Sequence, residues 1–233
     1  EYIFRGLLRL PLQIKSFDLS IDFIQSEDWI LLHQFLTSQT NLSSVRIFLK
    51  DTYDNGKFGS WNDYLEQNEN LEIAIKCLNK KPFLKSIEFS VNFWPLEALS
   101  QGFGHLEMLN QLQTLKLKAS DNNATTKTIP FDRVKGLCKF IKNQSRSLRV
   151  LHLNLPFALD GEPVSWIGEA FSKAIYLREL NLSFNQIGNR IFQWISYFEN
   201  RLQSCFPKNS RGKIFRPQIW KPDLEIYIRR LEN

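Results

Sequence analysis

Leu177-Arg178-Glu179-Leu180-Asn181-Leu182-Ser183-Phe184-Asn185-Gln186-Ile187-Gly188 decides how this chain folds. Leu180 and Leu182 alternate with polar residues, the period of a strand with one apolar face. Leu177 and Ile187 extend that face. Asn185 carries an amide that can bond backbone groups where the chain leaves the strand. A unit this small cannot bury its own apolar face, so it needs copies stacked beside it.

Weaker copies are present. Ile14-Lys15-Ser16-Phe17-Asp18-Leu19 and Leu42-Ser43-Ser44-Val45-Arg46-Ile47 are two, and Leu84-Lys85-Ser86-Ile87-Glu88-Phe89 is a third. Leu112-Gln113-Thr114-Leu115-Lys116-Leu117 and Leu148-Arg149-Val150-Leu151-His152-Leu153 make five, and the quoted stretch is the sixth. Alternation returns at Leu224, Ile226 and Ile228, which reads as a seventh strand. First positions 14 and 42 are 28 residues apart, 84 and 112 are 28 apart, and 148 and 177 are 29 apart. Two intervals are longer, 42 from position 42 to 84 and 36 from 112 to 148.

Helical patterns fill the intervals. One starts at Ser26, read as an N-cap, with Glu27 and Asp28 in its first turn. Others cover 70–78, 95–99 (opened by Pro95), 131–143, 163–175 and 189–206. Strand, loop, helix, strand is the repeating unit.

The pattern L-x-x-L-x-L-x-x-N-x-I-G is the signature of a leucine-rich repeat, and the chain resembles the ribonuclease-inhibitor-like class of that family over residues 10–206. The resemblance implies an α/β curved solenoid of about six repeats, with a parallel sheet on the concave side and helices on the convex side. The domain expectation is a solenoid over 1–206, with irregular long loops near 51–66 and 119–129, followed by a basic connection and a capping strand over 207–233. The signature Asn stands at Asn92 and Asn185, but the other repeats carry Asp22, Lys50, Ser120 and Pro156 there. Lys and Pro cannot make the Asn bonds, so irregular turns are expected at Lys50 and Pro156.

The same resemblance places the residues between the strand apolars on the concave face. Its central row reads Asp18, Arg46, Glu88, Lys116, His152, Asn181, with alternating sign over the first four. Strands about 4.8 Å apart let each charge meet an opposite one next door. Phe48 and Lys118 lie one position further along their strands. This face is the first candidate partner surface, through Asp18, Arg46, Phe48, Glu88, Lys116, Lys118 and His152. The second is the insertion in the longest interval, 51–64, which carries Tyr53, Phe58, Trp61 and Tyr64 beside an Asn55-Gly56 turn signal. The third is the segment 208–221. Residues 207–222 hold Lys208, Arg211, Lys213, Arg216 and Lys221 and no acid, with Phe215 and Trp220 as apolar anchors. Such a segment suits RNA or an acidic surface, or else caps the end of the sheet.

Net charge is +6, from 30 basic and 24 acidic residues, and most of the excess sits in that late segment. No run approaches the ~18 apolar residues of a membrane span. Cys77, Cys138 and Cys205 fall on helical patterns among apolar residues, without the cysteine-rich caps of secreted repeat proteins. They read as free thiols and point to an intracellular, reducing compartment. No phosphate loop, H-E-x-x-H, paired Cys-x-x-Cys or G-x-S-x-G occurs. The three histidines, His33, His105 and His152, have no metal-ligand spacing, and His33 and His105 read as packing or surface residues. No cofactor or metal is expected.

The expectation is a non-catalytic protein-interaction scaffold or adaptor, a subunit or domain of a larger assembly that binds other proteins. One alternative is a ribonucleoprotein subunit that contacts RNA through 208–221. A second is the substrate-recognition domain of a ubiquitin-ligase adaptor. The chain opens on Glu1 without Met, which reads as a fragment or processed product.

Overall fold

The computed structural model describes residues 2–9, 13–21, 24–49, 61–91, 102–106, 109, 111–119, 132–159, 166–167, 169–170, 173–174, 176–187, 218–220 and 224–229. It is an α/β structure. Six strands lie parallel in sequence order: β1 (Ser16–Ile21), β2 (Ser44–Leu49), β3 (Ser86–Val91), β4 (Thr114–Ala119), β5 (Val150–Leu159) and β6 (Glu179–Ile187). Helices α1 (Tyr2–Arg9), α2 (Ser26–Ser38), α3 (Trp61–Cys77) and α4 (Asp132–Asn143) accompany them, with further helical backbone at 102–104 and within 166–173.

The register is the one the repeated motif demands. Phe17, Val45, Ile87, Leu115, Leu151 and Leu180 are partners across the six strands, and so are Leu19, Ile47, Phe89, Leu117, Leu153 and Leu182. The first row is buried throughout, and so is the second up to Leu153. The first motif positions Leu42, Leu84, Leu112, Leu148 and Leu177 are buried as well. Helix residues Trp29, Leu32, Leu36, Leu71, Ile75, Leu137 and Phe140 pack into the same core. Aromatic contacts tie the layers together: Phe17 meets Phe35 at 5.2 Å between centroids, Phe89 meets Phe103 edge-on at 6.1 Å, and Phe103 meets Phe140 at 5.2 Å.

One backbone device repeats between neighbouring strands. The carbonyl of Lys15 accepts the N–H groups of both Ser43 and Ser44, at 2.8 and 3.1 Å. The Ser43 carbonyl does the same for Lys85 and Ser86, Lys85 for Gln113 and Thr114, Gln113 for Arg149 and Val150, and Arg149 for Arg178 and Glu179. Five shared carbonyls therefore align the starts of six strands, although the intervals between them differ by up to 14 residues (42 against 28).

Buried polar side chains complete the turns that lead into the strands. Gln39 accepts the Ile14 N–H at 2.9 Å, and Gln144 accepts the Leu112 N–H at 3.2 Å while donating to the Leu109 carbonyl. Lys81, three residues before Leu84, donates to the Thr37 carbonyl at 2.9 Å. Each side chain reaches back to the preceding unit and satisfies a group that burial would otherwise leave unpaired.

Several expectations change. Ser26 is not the N-cap of α2; that position is Gln25, whose side chain makes no capping bond. α3 starts at Trp61, so 61–66 are helical rather than loop. Asn185 does not mark an exit, because β6 runs on to Ile187. Pro156 lies inside β5, and there the pairing with β6 shifts, between Leu155 and Ala158. Proline has no N–H to give a ladder, so a break in register relieves the mismatch. The seventh strand forms as Leu224–Arg229, but antiparallel to β6. A short strand, Gln218–Trp220, pairs antiparallel on its far side. In chain order the short strand is β7 and the longer one β8, so the sheet reads β1-β2-β3-β4-β5-β6-β8-β7. Helix 189–206, the 95–99 pattern and the 119–129 loop lie essentially outside the described residues.

Two stability predictions follow from this sidedness. Leu115→Ala should cost about 2–5 kcal/mol in urea denaturation, whereas Lys116→Ala, its neighbour on the opposite face, should stay within about 0.5 kcal/mol. Gln144→Leu should cost roughly 1–3 kcal/mol, because it keeps the volume but abandons the Leu112 N–H and the Leu109 carbonyl.

Candidate functional site

Alternation sends the even-numbered residues of β1 to β4 away from the core. Ser16, Asp18, Ser20, Arg46 and Lys118 are exposed, and Phe48, Glu88, Lys116 and His152 are half-buried. The register pairs Asp18 with Arg46, Arg46 with Glu88, Glu88 with Lys116, Lys116 with His152 and His152 with Asn181. Five of the seven candidates on this face thus share one row, and Phe48 and Lys118 stand together in the next, both in register with Ser90.

The charges do not pair as a simple ladder. Arg46 holds both acids: Nη1 is 3.2 Å from Asp18 Oδ2, and Nε is 3.1 Å from Glu88 Oε2. Glu88 first and Asp18 second hold the guanidinium pKa above its ordinary value. The same guanidinium lies 5.8 Å from the Phe48 ring centroid, a cation–π distance. Phe48 is therefore already engaged. His152 Nε2 is 2.7 Å from Glu179 Oε1, an acid of the adjacent strand outside the central row. Among the described residues Lys116 and Lys118 carry no ion pair, so two cations remain beside a closed Asp18–Arg46–Glu88 triad. Exposed pairs of this kind add little stability, which leaves their residues available to a partner.

The other candidates are less defined. Trp61 and Tyr64 fall on the first turns of α3, while Tyr53 and Phe58 lie outside the described residues. Trp220 ends β7, and Arg211, Lys213, Phe215 and Arg216 lie outside the described residues. Among the described residues no group of three His, Cys, Asp or Glu side chains could hold a metal ion, and no helix is long and apolar enough to cross a membrane. Burial pushes the Cys138 thiol up to about 12, which makes it unreactive at neutral pH. Cys77, at the end of α3, is half-buried and accepts a bond from Thr37 Oγ1 at 3.5 Å.

His33, read from the sequence as a packing or surface residue, joins α2 to α3. Its Nε2 lies 2.9 Å from the Asn70 carbonyl, and its ring tilts against Trp29 at 5.8 Å. Burial pulls its pKa below 6.5, against the smaller upward pull of the Asn70 bond. Below pH 6.5 the unfolded chain binds a proton that the folded chain refuses, so stability falls as pH drops from 6.5 toward the folded value. His33→Gln, which keeps a donor for Asn70, should lose less of its urea midpoint than the parent between pH 7.5 and 5.5. Comparison with family models, with curated proteins and with solved structures finds no match, so function has to be read from these residues themselves.

Proposed function

We propose that the chain is a leucine-rich repeat solenoid of the ribonuclease-inhibitor-like class, and that it works as a non-catalytic scaffold that binds another protein. In this reading the six parallel strands line the concave side of a curve and the helices line the convex side. Three features support the repeat reading: strand order follows sequence order, one carbonyl device recurs at each step, and the motif positions coincide in register.

The observation that carries the binding reading is a parallel sheet with one face uncovered by any described helix. Parallel sheets usually have helices on both faces. Here the second face displays Ser, Thr, charged and amide side chains in straight rows across the strands. The unpaired Lys116 and Lys118 favour an acidic strip on the partner, and the Arg46–Phe48 pair offers a flat, partly apolar contact beside them. Such rigid rows hold their spacing without a partner, which lowers the ordering cost of association.

Site-specific photocrosslinking in the native cell tests this reading. A photoreactive residue at Phe48 or Lys118 should capture one protein in common, a residue at Lys139 on α4 should not, and Lys116→Glu should cut the yield at Phe48 about tenfold. Capture from Lys139 alone, or a yield indifferent to Lys116→Glu, would overturn it.

A further inference from the structure

The shared-carbonyl ladder also aligns a second row of side chains, at the edge of the sheet where the strands begin. Lys15, Ser43, Lys85, Gln113, Arg149 and Arg178 occupy one register position, linked successively by bonds of 2.7–2.8 Å from each N–H to the previous carbonyl. Four are cations and none is an acid. All are exposed or half-exposed. On the open face Arg46 is paired with acids on both sides, but Lys15, Lys85 and Arg149 have no ion pair among the described residues. Glu179, the acid nearest in sequence, is engaged by His152. The five residues that end at each of these positions contain no acid in any of the six units. Lys15, Lys85 and Arg149 therefore repel one another in the folded state, and a bound polyanion relieves that repulsion.

Aromatic rings accompany the cations. Phe83 and Tyr176 each precede the buried leucine of their unit, two residues before Lys85 and Arg178, and are 56% and 50% exposed. They stand three strand spacings apart, roughly 14 Å. Gln113 lies between them, with an exposed amide able to donate and accept. Burial does not explain two large exposed rings at one register position, whereas stacking on unpaired bases does.

We infer that this edge binds single-stranded nucleic acid, with phosphates along Lys85, Arg149 and Arg178 and bases stacked on Phe83 and Tyr176. A duplex keeps its base faces occupied, and an acidic peptide has no use for the rings, so the combination favours an unpaired strand. The proposal is independent of the protein-binding face, which lies further along the same strands.

Fluorescence anisotropy with the full chain and a labelled twelve-nucleotide oligouridine tests it, with a hairpin duplex and a polyglutamate peptide as competitors. The strand should bind at 50 mM salt, and log affinity should fall with log salt at a slope of about −2, as expected for about three phosphate contacts. Lys85→Glu with Arg149→Glu should weaken binding at least about tenfold. Phe83→Ala with Tyr176→Ala should do the same for the oligouridine, with an unchanged circular dichroism spectrum. The proposal is overturned by no binding at 50 mM salt. It is equally overturned by polyglutamate competing as well as the strand while the ring substitutions change nothing, which would assign the edge to an acidic protein. Loss of binding through Arg211→Glu with Lys213→Glu, with the edge variants binding normally, would move the site to the late basic segment and also overturn it.

Discussion

One hydrogen-bond pattern underlies the rest of the structure: a carbonyl just before each of β1 to β5 that accepts two successive N–H groups at the start of the next parallel strand. It occurs from Lys15 to Ser43 and Ser44 and recurs up to Arg149 with Arg178 and Glu179. A strand alternates its side chains with a period of two, so a slip of one residue would exchange the faces. Asp18, Arg46, Glu88 and Lys116 would then enter the core, and Phe17, Val45, Ile87 and Leu115 would meet water. Desolvating four charges costs far more than any turn could recover, so the ladder and the hydrophobic pattern enforce the same register.

That register produces two surfaces of different charge from one sheet. Along the strands the second face carries mixed charges, partly closed by Arg46 and partly open at Lys116 and Lys118. At the strand starts the edge carries four cations and no acid. The difference is chemical: a mixed face suits a protein partner whose charges can be matched one by one, and a cation-only edge suits a ligand of uniform negative charge. Both depend on fixed spacing, and the buried Gln39, Lys81 and Gln144 side chains help to supply it by tying three of the units to the ones before.

The sheet was largely legible in the sequence because Leu-x-x-Leu-x-Leu spacing fixes strand position, face and register together. Asp18, Arg46, Glu88 and Lys116 could be placed in one row from subtraction alone. What their side chains do there was not legible. A guanidinium presents several donors and a lysine only a point charge, so Arg46 takes both neighbouring acids and leaves Lys116 without one. The reach-back glutamines were missed because they obey no hydrophobic period, although Gln39 and Lys81 share a place three residues before the motif. The antiparallel direction of β8 was equally hidden, since Leu224, Ile226 and Ile228 alternate in the same way in either orientation. The long strand through Asn185 shows the exit expected at that asparagine giving way to local pairing with β5.

Disulfide trapping on the open face tests the common register most directly. In a chain whose Cys77, Cys138 and Cys205 are replaced by Ala, Ser90→Cys and Lys118→Cys sit opposite one another on β3 and β4. Adjacent strands bring such positions to about 4.8 Å, inside the range a disulfide spans. Ser90→Cys with Lys116→Cys is offset by two residues and falls beyond about 7 Å. A fast, near-complete bond in the first pair and little in the second is the predicted result. Efficient bonding of Ser90→Cys to position 116, with none at 118, would contradict the register on which both surfaces stand.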